Sequence, residues 1–172
     1  QYGWTPKFGA GAYNPYLEDY YKDIPGWSYN LGTYVLARRF QDLLEIAKSD
    51  DVIIQDRTIM EGVYIFVANN KAMGNLSERD FDTYMQLFNL MMSLVKKPDL
   101  LIYLKSSVPH LVSQIQKRGR DYEKSISIEY LSNLNDRYDD WIANYKGKVL
   151  IIEADDLDYE HRPEDFATIT DK

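Results

Sequence analysis

Asp50-Asp51-Val52-Ile53-Ile54-Gln55-Asp56-Arg57-Thr58 decides the fold of this chain. Its apolar run is continuous rather than alternating, which predicts a strand covered on both faces, the habit of parallel sheets. Two further runs repeat the pattern, Leu100-Leu101-Ile102-Tyr103-Leu104 and Val149-Leu150-Ile151-Ile152, each entered from a polar or turn-type segment. Thr5 to Phe8 is a weaker candidate for a fourth strand. Helical periodicity fills the intervals. Leu31, Val35, Leu36, Phe40, Leu43, Leu44 and Ala47 form a broad apolar stripe along Trp27 to Lys48. A second helix starts at Ser77, with Asp80 three residues on as the weaker form of a capping box, and runs to about Val95. Pro109 to about Lys117, Ser127 to Tyr145, and a short segment from Pro163 complete the set. Strands alternating with helices long enough for crossovers predict an α/β fold with a mainly parallel sheet, in one domain over residues 1–172.

Composition narrows the function. The 172 residues carry 20 Lys+Arg against 27 Asp+Glu, a formal charge of −7, which argues against a nonspecific nucleic-acid binder. No apolar run is long enough for a membrane span. The absence of Cys removes disulfides and thiolate chemistry, and is compatible with a cytoplasmic protein. No set of residues has metal-ligand spacing, and no chemistry attaches to His110 or His161.

Ligands of open α/β sheets bind beyond the carboxyl ends of the strands. Asp56 and Arg57 stand there, suited to orient a hydroxyl and hold an anionic phosphate, and equally suited to a helix N-cap with a surface ion pair. Lys117-Arg118-Gly119-Arg120 is a compact cationic loop in an acidic protein, suited to phosphoryl oxygens. It also reads as a basic helix C-terminus complementing the dipole.

The Asp56-Arg57-Thr58 element, Pro98-Asp99 leading into Leu100–Leu104, the loop Lys117-Arg118-Gly119-Arg120, and Asn14-Pro15-Tyr16-Leu17 with Trp27 upstream occur in one order and spacing. Together they resemble the deoxynucleoside kinase family, nearest its bacterial deoxyadenosine/deoxyguanosine kinase branch, over about Tyr2 to Ile169. The resemblance implies a three-layer P-loop-kinase-like fold, a parallel sheet flanked by helices. It implies ATP-dependent phosphorylation of the 5′-hydroxyl of a purine deoxynucleoside with Mg²⁺, and a homodimer formed through helices near the long one. By the same resemblance Arg57 contacts the 5′-oxygen and the transferred phosphate, with Asp56 beside it. Tyr21 and Glu123 bind the sugar 3′-hydroxyl, Arg39 faces the nucleobase edge, and Phe66 stacks on the base. Arg118 and Arg120 are lid arginines over the ATP phosphates, and Asp155 to Tyr159 lies near the adenine. Read without the resemblance, Tyr21 and Phe66 serve equally as packing aromatics, and Arg39 as a solvated charge on a long helix.

The chain departs from the family in two ways. The phosphate loop G-x-x-x-x-G-K-[ST] and the first strand are absent from the sequence. The resemblance makes that strand central, so the expectation is that an upstream segment or a second chain supplies it. Glycines form the other departure. Gly9 stands where the family has its catalytic Glu, Gly32 where it has a base-reading Gln, and Gly62 where it has a base-reading Asp; Gly11 and Gly26 also replace larger residues. Gly32 interrupts a strong helix at about 1 kcal/mol against Ala. Such a set predicts an impaired kinase, or an engineered or degenerate non-catalytic scaffold whose hollowed pocket takes a nucleoside or another small aromatic ligand.

Overall fold

The computed structural model describes residues 2–9, 14–120, 123 and 126–171, which divide into two compact units, Gln1–Lys96 and Lys97–Lys172.

In the first unit the order is β1 (Thr5–Lys7), α1 (Leu17–Lys22), α2 (Ile24–Ile46), β2 (Ile53–Gln55), α3 (Ile59–Glu61), a π-helical stretch (Gly62–Val67), α4 (Ala68–Ala72) and α5 (Glu78–Met92). β1 and β2 pair in parallel, with Thr5 opposite Ile53 and Lys7 opposite Gln55. The weak Thr5–Phe8 run is therefore a strand, and its partner lies in the Val52-Ile53-Ile54 run. α2 begins before Trp27 because Asp23 caps it, accepting from the Gly26 N–H at 3.1 Å, and Pro25 occupies its first turn. The side chains of Leu36, Val63, Ile65 and Tyr84 are essentially sealed from solvent and form the centre of this unit's core.

The helical run from Ile59 to Ala72 has no counterpart in the periodicity reading. Val63-Tyr64-Ile65-Phe66-Val67 is β-branched and aromatic, a composition with strand preference that packing overrides here. Its start was nonetheless encoded. Thr58 accepts from the Met60 and Glu61 N–H groups, and the Glu61 carboxylate accepts from the Thr58 N–H, a complete capping box.

The second unit holds β3 (Leu101–Lys105), α6 (Val108–Arg118), α7 (Ile128–Ala143), β4 (Val149–Glu153) and α8 (Pro163–Thr170). β3 and β4 pair in parallel from Leu101 opposite Val149 to Lys105 opposite Glu153. Serine caps open α6 at Ser107 and α7 at Ser127, and Gly119 closes α6 in the left-handed conformation at φ 68°. Tyr103 on β3 stacks on Tyr138 of α7 with ring centroids 5.7 Å apart, and Lys105 pairs with Asp139 at 3.1 Å. Ile152 of β4 is fully buried. Both pairings are parallel, as the continuous apolar runs predict. The double coverage those runs also predict is incomplete among the described residues. Each sheet has two strands, and Val52, Ile54, Leu100, Ile102 and Leu104 keep exposed side chains.

Candidate functional site

The carboxyl ends of β1 and β2 carry the first cluster. The Asp56 N–H donates to the Lys7 carbonyl at 2.9 Å, extending the parallel pairing by one residue and bringing Asp56 beside Gly9. A Cβ built on Gly9 would stand 3.0 Å from Asp56 Oδ2 and 3.1 Å from Arg39 Nη2. Arg39 reaches this point from α2 and is only 5% exposed, which corrects its reading as a solvated charge. Periodicity places Arg39 on a helix face but cannot say that Gly9 and Asp56, just beyond the ends of β1 and β2, come up against its guanidinium. Burial lowers the guanidinium from its ordinary value, while the carboxylates of Asp42 and Asp56 oppose the shift. Its Nη1 lies 3.9 Å from Asp42 Oδ2 and finds no hydrogen-bond acceptor among the described residues.

Arg57 follows directly, at φ 64°, a left-handed conformation uncommon for a residue with a side chain. Such backbone strain concentrates at ligand sites, where the surroundings over-determine it. Here the β1 pairing holds Asp56 on one side and the Thr58–Glu61 capping box holds the other. The result sets the Arg57 guanidinium over the Phe66 ring, 5.3 Å from its centroid. The two residues singled out separately in the sequence are thus in contact. Within Asp56-Arg57-Thr58, Thr58 is a helix N-cap, as one of the two readings of that element expects.

The other positions in this unit divide. Tyr21 lies on α1 with its ring edge-on to Tyr20, whose hydroxyl bonds Asn70 Oδ1 at 3.2 Å. Gly26 belongs to the α2 cap: an added Cβ would collide with the Asp23 carboxylate. Gly32 marks a close approach, where a Cβ would meet Val67 Cγ2 at 3.1 Å and Tyr84 Cε2 at 3.5 Å. Gly62 opens the π-helical stretch, and its nearest neighbour in that direction is the Tyr84 hydroxyl at 3.8 Å. Gly11 lies outside the described residues.

In the second unit Arg118 and Arg120 both turn to Glu123. Arg118 is bidentate, with Nε and Nη2 donating at 3.0 and 2.7 Å, and Arg120 Nη1 lies at 3.6 Å. Glu123 is 7% exposed while the two arginines are about half exposed. A single buried carboxylate therefore gathers two guanidiniums and leaves part of their donor set facing solvent, an arrangement able to take phosphate oxygens. Asp155, beyond the end of β4, accepts from the Ser106 hydroxyl at 2.6 Å and the Ser107 N–H at 2.9 Å. Those bonds pull its carboxyl from 3.8 to about 2, the Ser106 hydroxyl contributing most. Tyr159 is exposed.

Asp155 gives a pH test. A carboxyl depressed in the folded state contributes stability above its unfolded value and loses it as pH falls through its folded value. The stability advantage of wild type over Asp155→Asn is expected in full above 3.8 and to fade by about 2, measured as paired thermal melts. A gap that stays constant down to acid pH contradicts this.

The family model for deoxynucleoside kinases matches residues 3–172. The chain is 33% identical over 163 residues to a deoxyadenosine/deoxycytidine kinase of Bacillus subtilis, covering 93% of this chain and 75% of that protein. It is 35% identical over 139 residues to a deoxyadenosine kinase of Dictyostelium discoideum, covering 81% of this chain and 56% of the relative. Among solved structures, deoxyadenosine kinase from M. mycoides with bound dCTP superposes with a TM-score of 0.84 at 28% identity, over 98% of this chain and 85% of that one. No helix among the described residues is long and apolar enough to cross a membrane.

Proposed function

Because the chain belongs to the deoxynucleoside kinase family, we propose that it binds a purine deoxynucleoside and serves ATP-dependent phosphorylation of its 5′-hydroxyl at a reduced rate. The observation that carries this reading is the cluster at the carboxyl ends of β1 and β2, where Gly9, Asp56, Arg39, Arg57 and Phe66 converge. The relatives named for deoxyadenosine support the purine. Arg57 would bind the oxygens near the 5′ position, and Arg118 and Arg120 would hold phosphate oxygens of ATP. Mg²⁺, when bound with ATP, neutralises phosphate charge. The reduced rate follows from Gly9, which offers no side chain to take the hydroxyl proton. The same glycine favours a second reading, a nucleoside-binding scaffold without turnover. The family reading also implies a cytoplasmic homodimer.

Calorimetric titration of the full-length protein with deoxyadenosine and deoxyguanosine tests nucleoside binding. Saturable binding is expected in the ~1 µM to 1 mM range in which enzymes commonly hold substrates. No heat of binding with either nucleoside contradicts both readings.

A further inference from the structure

Tyr29, Asn30, Thr33, Tyr34 and Ala37 share one face of α2, distinct from the face that buries Leu36, Arg39 and Leu43. With Tyr16, from the turn before α1, they line a groove of about 280 Å³. Its walls are three tyrosines, each half-buried. Tyr16 is fixed in place: its N–H donates to Asn14 Oδ1 at 3.0 Å, and its ring lies 5.6 Å from Tyr34, edge-on, and 5.9 Å from Trp27. Asn30 is exposed on the same face. The Thr33 hydroxyl is sealed from solvent and has no hydrogen-bond partner among the described residues, an unmet polar group in the groove's wall. The described lining carries no charged side chain.

We propose that this groove is a second binding site, separate from the nucleoside cluster, for a neutral planar heterocycle of nucleobase size, a purine with an amino group beside a ring nitrogen. Aromatic walls hold a flat ring through its π-face. The Asn30 amide sets an acceptor beside a donor, and so pairs with a ring edge that carries a donor beside an acceptor. Asparagine pairs in this way with the amino group and N7 of adenine. A charged ligand would give up its hydration with no counter-charge in the lining. An aliphatic ligand of the same size would use neither the amide nor the Thr33 hydroxyl. The site does not rest on the kinase reading, because none of its lining residues belongs to the clusters at Arg57 or Glu123.

The test is a protein-observed NMR titration of the full-length protein with 9-methyladenine and with 9-methylpurine, which keeps the ring but lacks the amino donor. Saturable shifts with 9-methyladenine are expected at the amides of Tyr16 and of residues 29–37. The expected Kd is on the order of 1 mM, the scale for a ligand of about a dozen heavy atoms. Wild type is expected to bind 9-methylpurine at least ~5-fold more weakly, the lower end of what a paired donor and acceptor discriminate. Asn30→Ala is expected to lose at least ~5-fold toward 9-methyladenine and to bind the two ligands within about 2-fold of one another. Asn30 is exposed within α2 and alanine is the better helix former, so Asn30→Ala keeps the fold. Shifts around Arg57 and Phe66 report the nucleoside site, so failure there and failure here are read apart. Absence of saturable shifts along residues 29–37, or equal affinity of wild type and Asn30→Ala for 9-methyladenine, overturns the groove as a binding site.

Discussion

Tyr84→Ala is expected to lower stability by ~3–5 kcal/mol, the cost of truncating a large buried aromatic. The corresponding fall in melting temperature is on the order of 10 °C for a chain of this size. Tyr84 is 1% exposed and is among the largest fully buried side chains of the described residues. It stands on α5, where Gly32 of α2 and Gly62 of the π-helical stretch both border it. Its hydroxyl is pushed well above the ordinary tyrosine value by burial, so it stays neutral across the accessible pH range. Tyr84→Phe keeps the ring and is expected to fall within about 1.5 kcal/mol of wild type, the limit for volume-conserving core changes. Equilibrium urea unfolding of the two variants checks both values; a Tyr84→Ala loss under about 1 kcal/mol would mean the ring is not central to the core.

Gly9→Glu carries the largest expected effect on activity, a gain of at least ~10²-fold in phosphoryl transfer, the scale of positioned acid–base assistance. The new Cβ needs the ends of the Asp56 and Arg39 side chains to yield by a few tenths of an ångström, through small rotations of their terminal groups. The introduced carboxylate then has a partner waiting, since Arg39 Nη1 has no acceptor among the described residues. Gly62→Asp is compatible with the same protein, because only the Tyr84 hydroxyl, at 3.8 Å, stands before it. Gly32→Gln is not equivalent. Its Cβ presses on Val67 at 3.1 Å, and Val67 and Tyr84 are both buried. Overpacking of this kind costs ~1–3 kcal/mol, which offsets the helix propensity recovered by removing a glycine.

Local signals carried most of the fold. Continuous apolar runs marked β2, β3 and β4, and Ser77 and Ser127 marked the helices they cap. The segment Ile59 to Ala72 was lost because its β-branched and aromatic residues speak for a strand, whereas the Thr58–Glu61 capping box, a four-residue pattern, speaks for the helix that forms. At the site, order and spacing of motifs were enough to select Asp56, Arg57, Arg118 and Arg120. Pairing was not legible. The stacking of Arg57 on Phe66 depends on a left-handed residue and a π-helical stretch, neither of which has a sequence period. The capture of Arg118 and Arg120 by Glu123 depends on a turn around Gly119, and the setting of Arg39 on Gly9 and Asp56, distant from it in sequence. The glycines were legible as anomalies, but only the structure shows what each one faces: the Asp23 carboxylate at Gly26, the apolar Val67 and Tyr84 at Gly32, and the charged ends of Asp56 and Arg39 at Gly9.

The proposed kinase activity is limited at residue 9. Its most direct test is the rate of phosphoryl transfer from ATP to deoxyadenosine by the full-length wild type and Gly9→Glu, assayed beside a family member such as the Bacillus subtilis kinase. Wild type is expected to run at least ~10²-fold below that relative, and Gly9→Glu to recover most of the difference. A wild-type rate within about tenfold of the relative, or a Gly9→Glu rate no faster than wild type, would contradict it.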